Sequence, residues 1–195
     1  MLKGPNEKDI SKLHAEINQL VNQRFVLTTL VLTLFAASIV WMIPKDSPAA
    51  GTALSVFPFV ASIILSSLIF GIYLWSHLLR HTLRIWTQYL LVTGNSDWEV
   101  DWANFRKESY SAYTKSSTIM FMLPNAIGIL FPFLLAWIFS LKIESCGIAI
   151  ISVLVGIASL TMMYLMGFQK FFDFEKQLGE RWKKLRDAPA DPPKS

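Results

Sequence analysis

Four stretches of this chain, residues 25–43, 54–75, 118–141 and 147–168, contain no Asp, Glu, Lys, Arg or His. Each is 19 to 24 residues long. A helix needs roughly 20 apolar residues to cross about 30 Å of hydrocarbon. A surface helix of a soluble protein would carry a polar face, and none of the four has one. The expectation is therefore an all-α, polytopic membrane protein: four transmembrane helices continued into a cytoplasmic helical bundle. Composition agrees, with charged residues at 16% and hydrophobic ones at 53%, where soluble domains carry about a quarter charged residues. A cleavable signal peptide is not expected, because the first 24 residues are polar and the first apolar block is too long and too late.

Charge placement orients the spans. Lys and Arg number four in residues 1–24, five in 76–117 and seven in 169–195, whereas 44–53 and 142–146 hold only Lys45 and Lys142. Positive residues stay on the cytoplasmic side of short loops. Both termini and the central segment are thus expected in the cytoplasm, with the chain in the cell's inner (plasma) membrane. The single cysteine, Cys146, excludes an internal disulfide and says nothing of compartment.

This divides the chain into a cytoplasmic N-terminal amphipathic helix (1–24), a transmembrane hairpin (25–75) with a short external loop (44–53), and a cytoplasmic helical hairpin (76–117) turning at 93–96. A second transmembrane hairpin (118–168), a C-terminal amphipathic helix (169–187) and a disordered tail (188–195) follow. Ile10, Leu13, Ile17 and Leu20 recur at the three–four spacing of a short coiled-coil seam. In the central turn Gly94 suits the left-handed position that ends a helix, and Ser96 with Glu99 reads as a capping box for the next. Trp98, Trp102 and Phe105 give the returning arm an apolar stripe. The four cytoplasmic arms, 7–24, 76–92, 97–116 and 169–187, are similar in length and would each project roughly 25–30 Å.

Past the second span, His77, Arg80, His81 and Arg84 fall on one helix face. Two histidines four apart can grip a metal, but two arginines share the face and no Cys or carboxylate stands beside them. The stripe therefore reads as a contact for anionic lipid headgroups or for a partner protein, as does the cluster Arg181, Lys183, Lys184 and Arg186. Asp97, Glu99, Asp101 and Glu108 read as helix N-terminal acids that complement the macrodipole. No phosphate-cradling loop, zinc-protease pair or nucleophile elbow occurs. Neither an enzyme nor a cofactor is expected. Nucleic acid is not the expected partner, because the aromatic residues fall on packing stripes.

Within the spans, Ser62 and Ser66 on the second and Ala149, Ser152, Gly156 and Ser159 on the fourth let helices approach closely, inside one protomer or between copies of a homo-oligomer. The third span carries Pro124, Asn125, Gly128 and Pro132, where missing backbone bonds permit a kink or hinge. No span holds an ionisable group of the kind that coupled transporters use, whereas an apolar gate needs none.

Two functions follow as expectations. The first is a homo-oligomeric membrane scaffold or sensor whose basic cytoplasmic bundle docks a soluble protein, such as the enzymatic or DNA-binding member of a two-component system. The second is a homo-oligomeric channel or membrane-perturbing effector gated through that bundle, with Asn125 on the water path. In outline the chain resembles small four-span membrane proteins of bacteria, including defence-associated ones. It carries no motif that names a family.

Overall fold

The computed structural model describes residues 7–44, 52–93, 97–168 and 171–187. The turn at 94–96 and the tail 188–195 lie outside the described residues. So do the side chains of 97–116 and 168–176, Trp98, Trp102 and Phe105 among them, and those of Leu185 and Arg186.

The described residues form five helices: α1 (Glu7–Met42), α2 (Phe57–Thr93), α3 (Asp97–Ile138), α4 (Cys146–Phe168) and α5 (Phe171–Asp187). Two short strands, β1 (Ala53–Leu54) and β2 (Lys142–Ile143), pair in parallel, with Ala53 opposite Lys142 and Leu54 opposite Ile143. The fold is all-α. The chain forms two compact units. One comprises Met1–Arg24, Ser76–Tyr113 and Gln169–Ser195; the other comprises Phe25–Trp75 and Thr114–Phe168.

The second unit has a large apolar core and an apolar outer surface. Its core is Val31 and Met42 of α1, Leu65, Ile69 and Tyr73 of α2, Phe121 and Leu135 of α3, and Met163 of α4. Its outer surface carries Leu30, Val40, Ile64, Leu130, Leu154 and Ile157. A soluble monomer rarely exposes apolar patches beyond a few hundred Å². Four helices are long and apolar enough to cross a membrane: Ile10–Met42, Phe57–Leu90, Ser117–Ile138 and Cys146–Gly167. The first two exceed what a bilayer needs, but their charge-free parts, 25–42 and 57–75, are of bilayer length. The chain is a multi-pass membrane protein.

Burial is uneven among the spans. Only 11% of the most apolar stretch of α1 is buried, against 39%, 44% and 28% for α2, α3 and α4. The last three form the tight part of the unit. In the other unit, Leu13 of α1 is buried while Ile10, Ile17 and Leu20 are half-buried. The N-terminal apolar seam therefore faces its own chain.

The third span ends earlier than its apolar run. Residues 139–141 continue that run in sequence, yet α3 stops at Ile138 and Ser140 adopts φ 51°. The Leu141 N–H reaches Ala136 O at 2.8 Å and the Ser140 N–H reaches Trp137 O at 3.2 Å. These are the two bonds of a Schellman cap, with Leu141 packed back near Ala136. The chain then forms β2, and the Lys142 N–H bonds Thr52 O at 2.9 Å. Ser145 opens α4, its carbonyl accepting from the Ala149 N–H. Leu54, Phe59, Ala136 and Ala149 make a second small core beside the strand pair.

A non-glycine residue in the left-handed region is strained by about 1 kcal/mol or more. Ser140→Gly is accordingly expected to raise the thermal midpoint by a few degrees. A lower midpoint would show that the Ser140 side chain stabilises the cap in some other way.

Candidate functional site

Two polar constellations stand out, one in each unit. The first is a seam where α2, α3 and α4 meet. Pro132 has no N–H for the carbonyl of Gly128, the acceptor one helical turn back. Yet α3 runs unbroken through Pro124 and Pro132. The hydroxyl of Ser62 on α2 donates to that freed carbonyl at 3.0 Å, and Ser152 on α4 donates to Ser62 at 3.2 Å. One turn along, Asn125 Nδ2 donates to Ser159 Oγ at 2.7 Å, and Ser159 donates to Gly156 O at 2.8 Å. Ser66 lies 3.0 Å from the same Ser159 oxygen. Because the Ser159 proton is already given to Gly156, Ser66 is the donor there. All five side chains are buried, Asn125 to 1% exposure.

Close backbone approach holds this seam together. A Cβ on Gly128 would sit 2.9 Å from Leu65, one on Gly156 would collide with Ile129, and one on Gly167 would collide with Thr118. Tyr73 on α2 is buried as well. Its hydroxyl donates to Met163 O at 3.0 Å, and its ring packs edge-on to Phe121. Trp41, Trp75 and Trp137 are exposed, as side chains of an interfacial belt would be.

The spacing rule thus found Ser62, Ser66, Ser152 and Gly156, and the structure turns them towards one another within a protomer. Within the protomer these small-residue faces meet one another. Asn125 faces Ser159, and Pro124 and Pro132 are buried. Sequence reasoning did not single out Thr118, Ile129 or Gly167, which carry no periodic signal of their own. It also missed the strand pair, whose four residues are too few to read.

The second constellation lies on α2 beyond Trp75. His77, Arg80 and Arg84 are buried, His81 is half-buried, and the apolar Leu78 and Ile85 are exposed. The basic stripe is thus turned mostly inwards. Buried guanidinium groups need partners, and Arg24, Arg80 and Arg84 all interact within the protein.

The Nε2 atoms of His77 and His81 are 3.0 Å apart. One ring must therefore donate from Nε2 and the other accept there, so the two neutral imidazoles hold different tautomers. Burial, then His81, Arg80, Arg84 and Arg24, push the pKa of His77 down to about 4. Burial and the two arginines also lower that of His81. The two Nε2 atoms thus bind each other. Among the described residues no group of three or more His, Cys, Asp or Glu could hold a metal ion.

No family model, curated protein or solved structure matches the chain. Its sites must therefore be read from their own chemistry. Here α5 differs from α2. Arg181, Lys183 and Lys184 are exposed, while Leu178 and Trp182 are half-buried. The Trp182 ring packs edge-on to Tyr89 at 5.0 Å, and Gly179 stands opposite Gln88. The helix rests on α2 by its apolar side and turns three cations to solvent. Of the eight basic residues marked in sequence, these three are exposed, His77, Arg80 and Arg84 are buried, His81 is half-buried, and Arg186 lies outside the described side chains.

Proposed function

We propose that this protein is a membrane scaffold or sensor subunit of the inner membrane, with both termini cytoplasmic, whose polar unit docks a soluble protein. The observation that carries this reading is the exposed basic face of α5. Arg181, Lys183 and Lys184 are held outward by packing of the opposite face, which suits an acidic protein surface. Anionic headgroups would be a second contact of the same chemistry. The reading assigns no catalytic step and no cofactor. The partner it implies is the enzymatic or DNA-binding half of a two-component system of the defence type.

Self-association belongs to the same reading. Because the seam of α2 and α4 is filled from within the protomer, the face left for it is on α1, where Thr29, Thr33, Ala36 and Ala37 are exposed. The channel reading retains the charge-free spans in its favour.

Affinity capture of the full-length protein from native membranes tests the proposal, comparing the native chain with the Arg181→Glu, Lys183→Glu, Lys184→Glu variant. The expected result is a stoichiometric soluble protein with the native chain and at least a tenfold loss with the variant, since like charges across an interface cost several kcal/mol. Capture of no soluble partner, together with ion flux by the purified protein in liposomes, would replace the scaffold with the channel.

A further inference from the structure

The donors and acceptors of the α2–α3–α4 seam do not balance. Ser159 gives its proton to Gly156 O, Ser66 gives its proton to Ser159, Ser152 to Ser62, and Ser62 to Gly128 O. Every hydroxyl proton is thereby used. Three oxygens remain that receive no hydrogen bond among the described residues: Asn125 Oδ1, Ser66 Oγ and Ser152 Oγ. Asn125 gives Ser159 only one of its two Nδ2 protons. The bare carbonyl and the spare N–H belong to one amide that is 1% exposed. Ser66 meets that amide at the shared Ser159 oxygen.

A buried acceptor left unpaired costs about 1–3 kcal/mol, so a small guest that donates to Oδ1 is favoured. Two kinds are available, and magnitudes separate them. A monovalent cation would exchange its hydration shell for a few neutral oxygens, at an effective penalty of several kcal/mol. No carboxylate in any span offsets that. A water loses at most about 2 kcal/mol on ordering and needs about three hydrogen bonds to settle. The amide carbonyl, its free N–H and Ser66 offer that number.

We propose that the Asn125 amide, together with Ser66 and Ser159, is a binding site for one small neutral hydrogen-bonding molecule of water size. The site lies about 12 Å along the third span, where the surrounding surface is apolar. It exists whether or not a partner docks on the polar unit.

The test is transfer of water magnetisation to side chains in solid-state NMR, on the full-length protein in bilayers labelled at Asn and Ala. Asn125–Ala126 is the only Asn–Ala pair in the chain, so the signal is assigned without a variant. The expected result is transfer to the Asn125 side chain several-fold faster than to the buried Ala136 and approaching that of the exposed Ala53. Transfer as slow as that of Ala136 would overturn the proposal. Thermal midpoints in sodium, potassium and N-methylglucamine chloride at equal ionic strength should coincide. A rise specific to sodium or potassium that Asn125→Ala removes would mean a cation binds there, and would overturn the neutral guest.

Discussion

Gly156→Leu is expected to lose about 3 kcal/mol or more of stability, seen as a collapse of the monodisperse yield in mild detergent. Even the first carbon of the new side chain would collide with Ile129. Overpacking a dense interior costs about 1–3 kcal/mol, and Ile129 is buried and stiff at χ1. Relief by moving α4 outward is costly as well. It would pull Ser152 from Ser62 on one side of Gly156, and Ser159 from Ser66 and Asn125 on the other. Each such bond between spans contributes about 0.6 kcal/mol on average. Gly71 supplies the control, because a Cβ there meets nothing within 4 Å. Gly71→Ala should be neutral or should stabilise by about 0.5–1 kcal/mol. Equal behaviour of the two variants would mean that α3 and α4 do not approach as described.

Ser62→Ala is expected to lose about 1–2 kcal/mol, and most of that loss should vanish when Pro132 is also replaced. The substitution strands two groups at once: the Gly128 carbonyl that Pro132 cannot serve, and the Ser152 proton that Ser62 accepts. Unpaired buried groups cost about 1–3 kcal/mol each, although measured interhelical bonds in membranes reach only about 1.7 kcal/mol. Pro132→Ala restores an N–H within reach of the Gly128 carbonyl. The Ser62 hydroxyl is then no longer needed there. A double-mutant cycle read by thermal or denaturant unfolding should show a coupling of about 1 kcal/mol, whereas independent sites add to within about 0.5 kcal/mol. Additivity would sever the proposed link between the proline and the serine.

Much of the fold is legible in the sequence, because bilayer thickness converts directly into a count of uncharged residues. The finer points depend on partners that periodicity does not name. Small-residue spacing marks Ser62 and Ser152 as contact positions, but nothing in it says that they meet each other or that Gly128 needs them. The end of α3 carries neither Gly nor Pro. The apolar run through Leu141 hides a cap made by Ser140 in a conformation that its side chain disfavours. The stripe of His77, Arg80 and Arg84 reads as surface because cations usually are. Its burial depends on tertiary neighbours, and the same holds for the depressed pKa of His77. On α5 the pattern is read more directly, since alternating aromatic and basic residues leave one face for packing and one for solvent.

Positions beyond the two ends of α3 offer the most direct test of the proposed orientation. Cys146 is exposed at the start of α4, beyond the far end of the third span, and Asn95 falls between α2 and α3 in the sequence. Intact cells are treated with a membrane-impermeant thiol reagent. One sample carries the native chain and the other carries Asn95→Cys with Cys146→Ser. The predicted result is labelling of Cys146 in intact cells, with the cysteine at position 95 labelled only after permeabilisation. Labelling at position 95 in intact cells would contradict the cytoplasmic placement of the polar unit, and with it the docking of a soluble partner there.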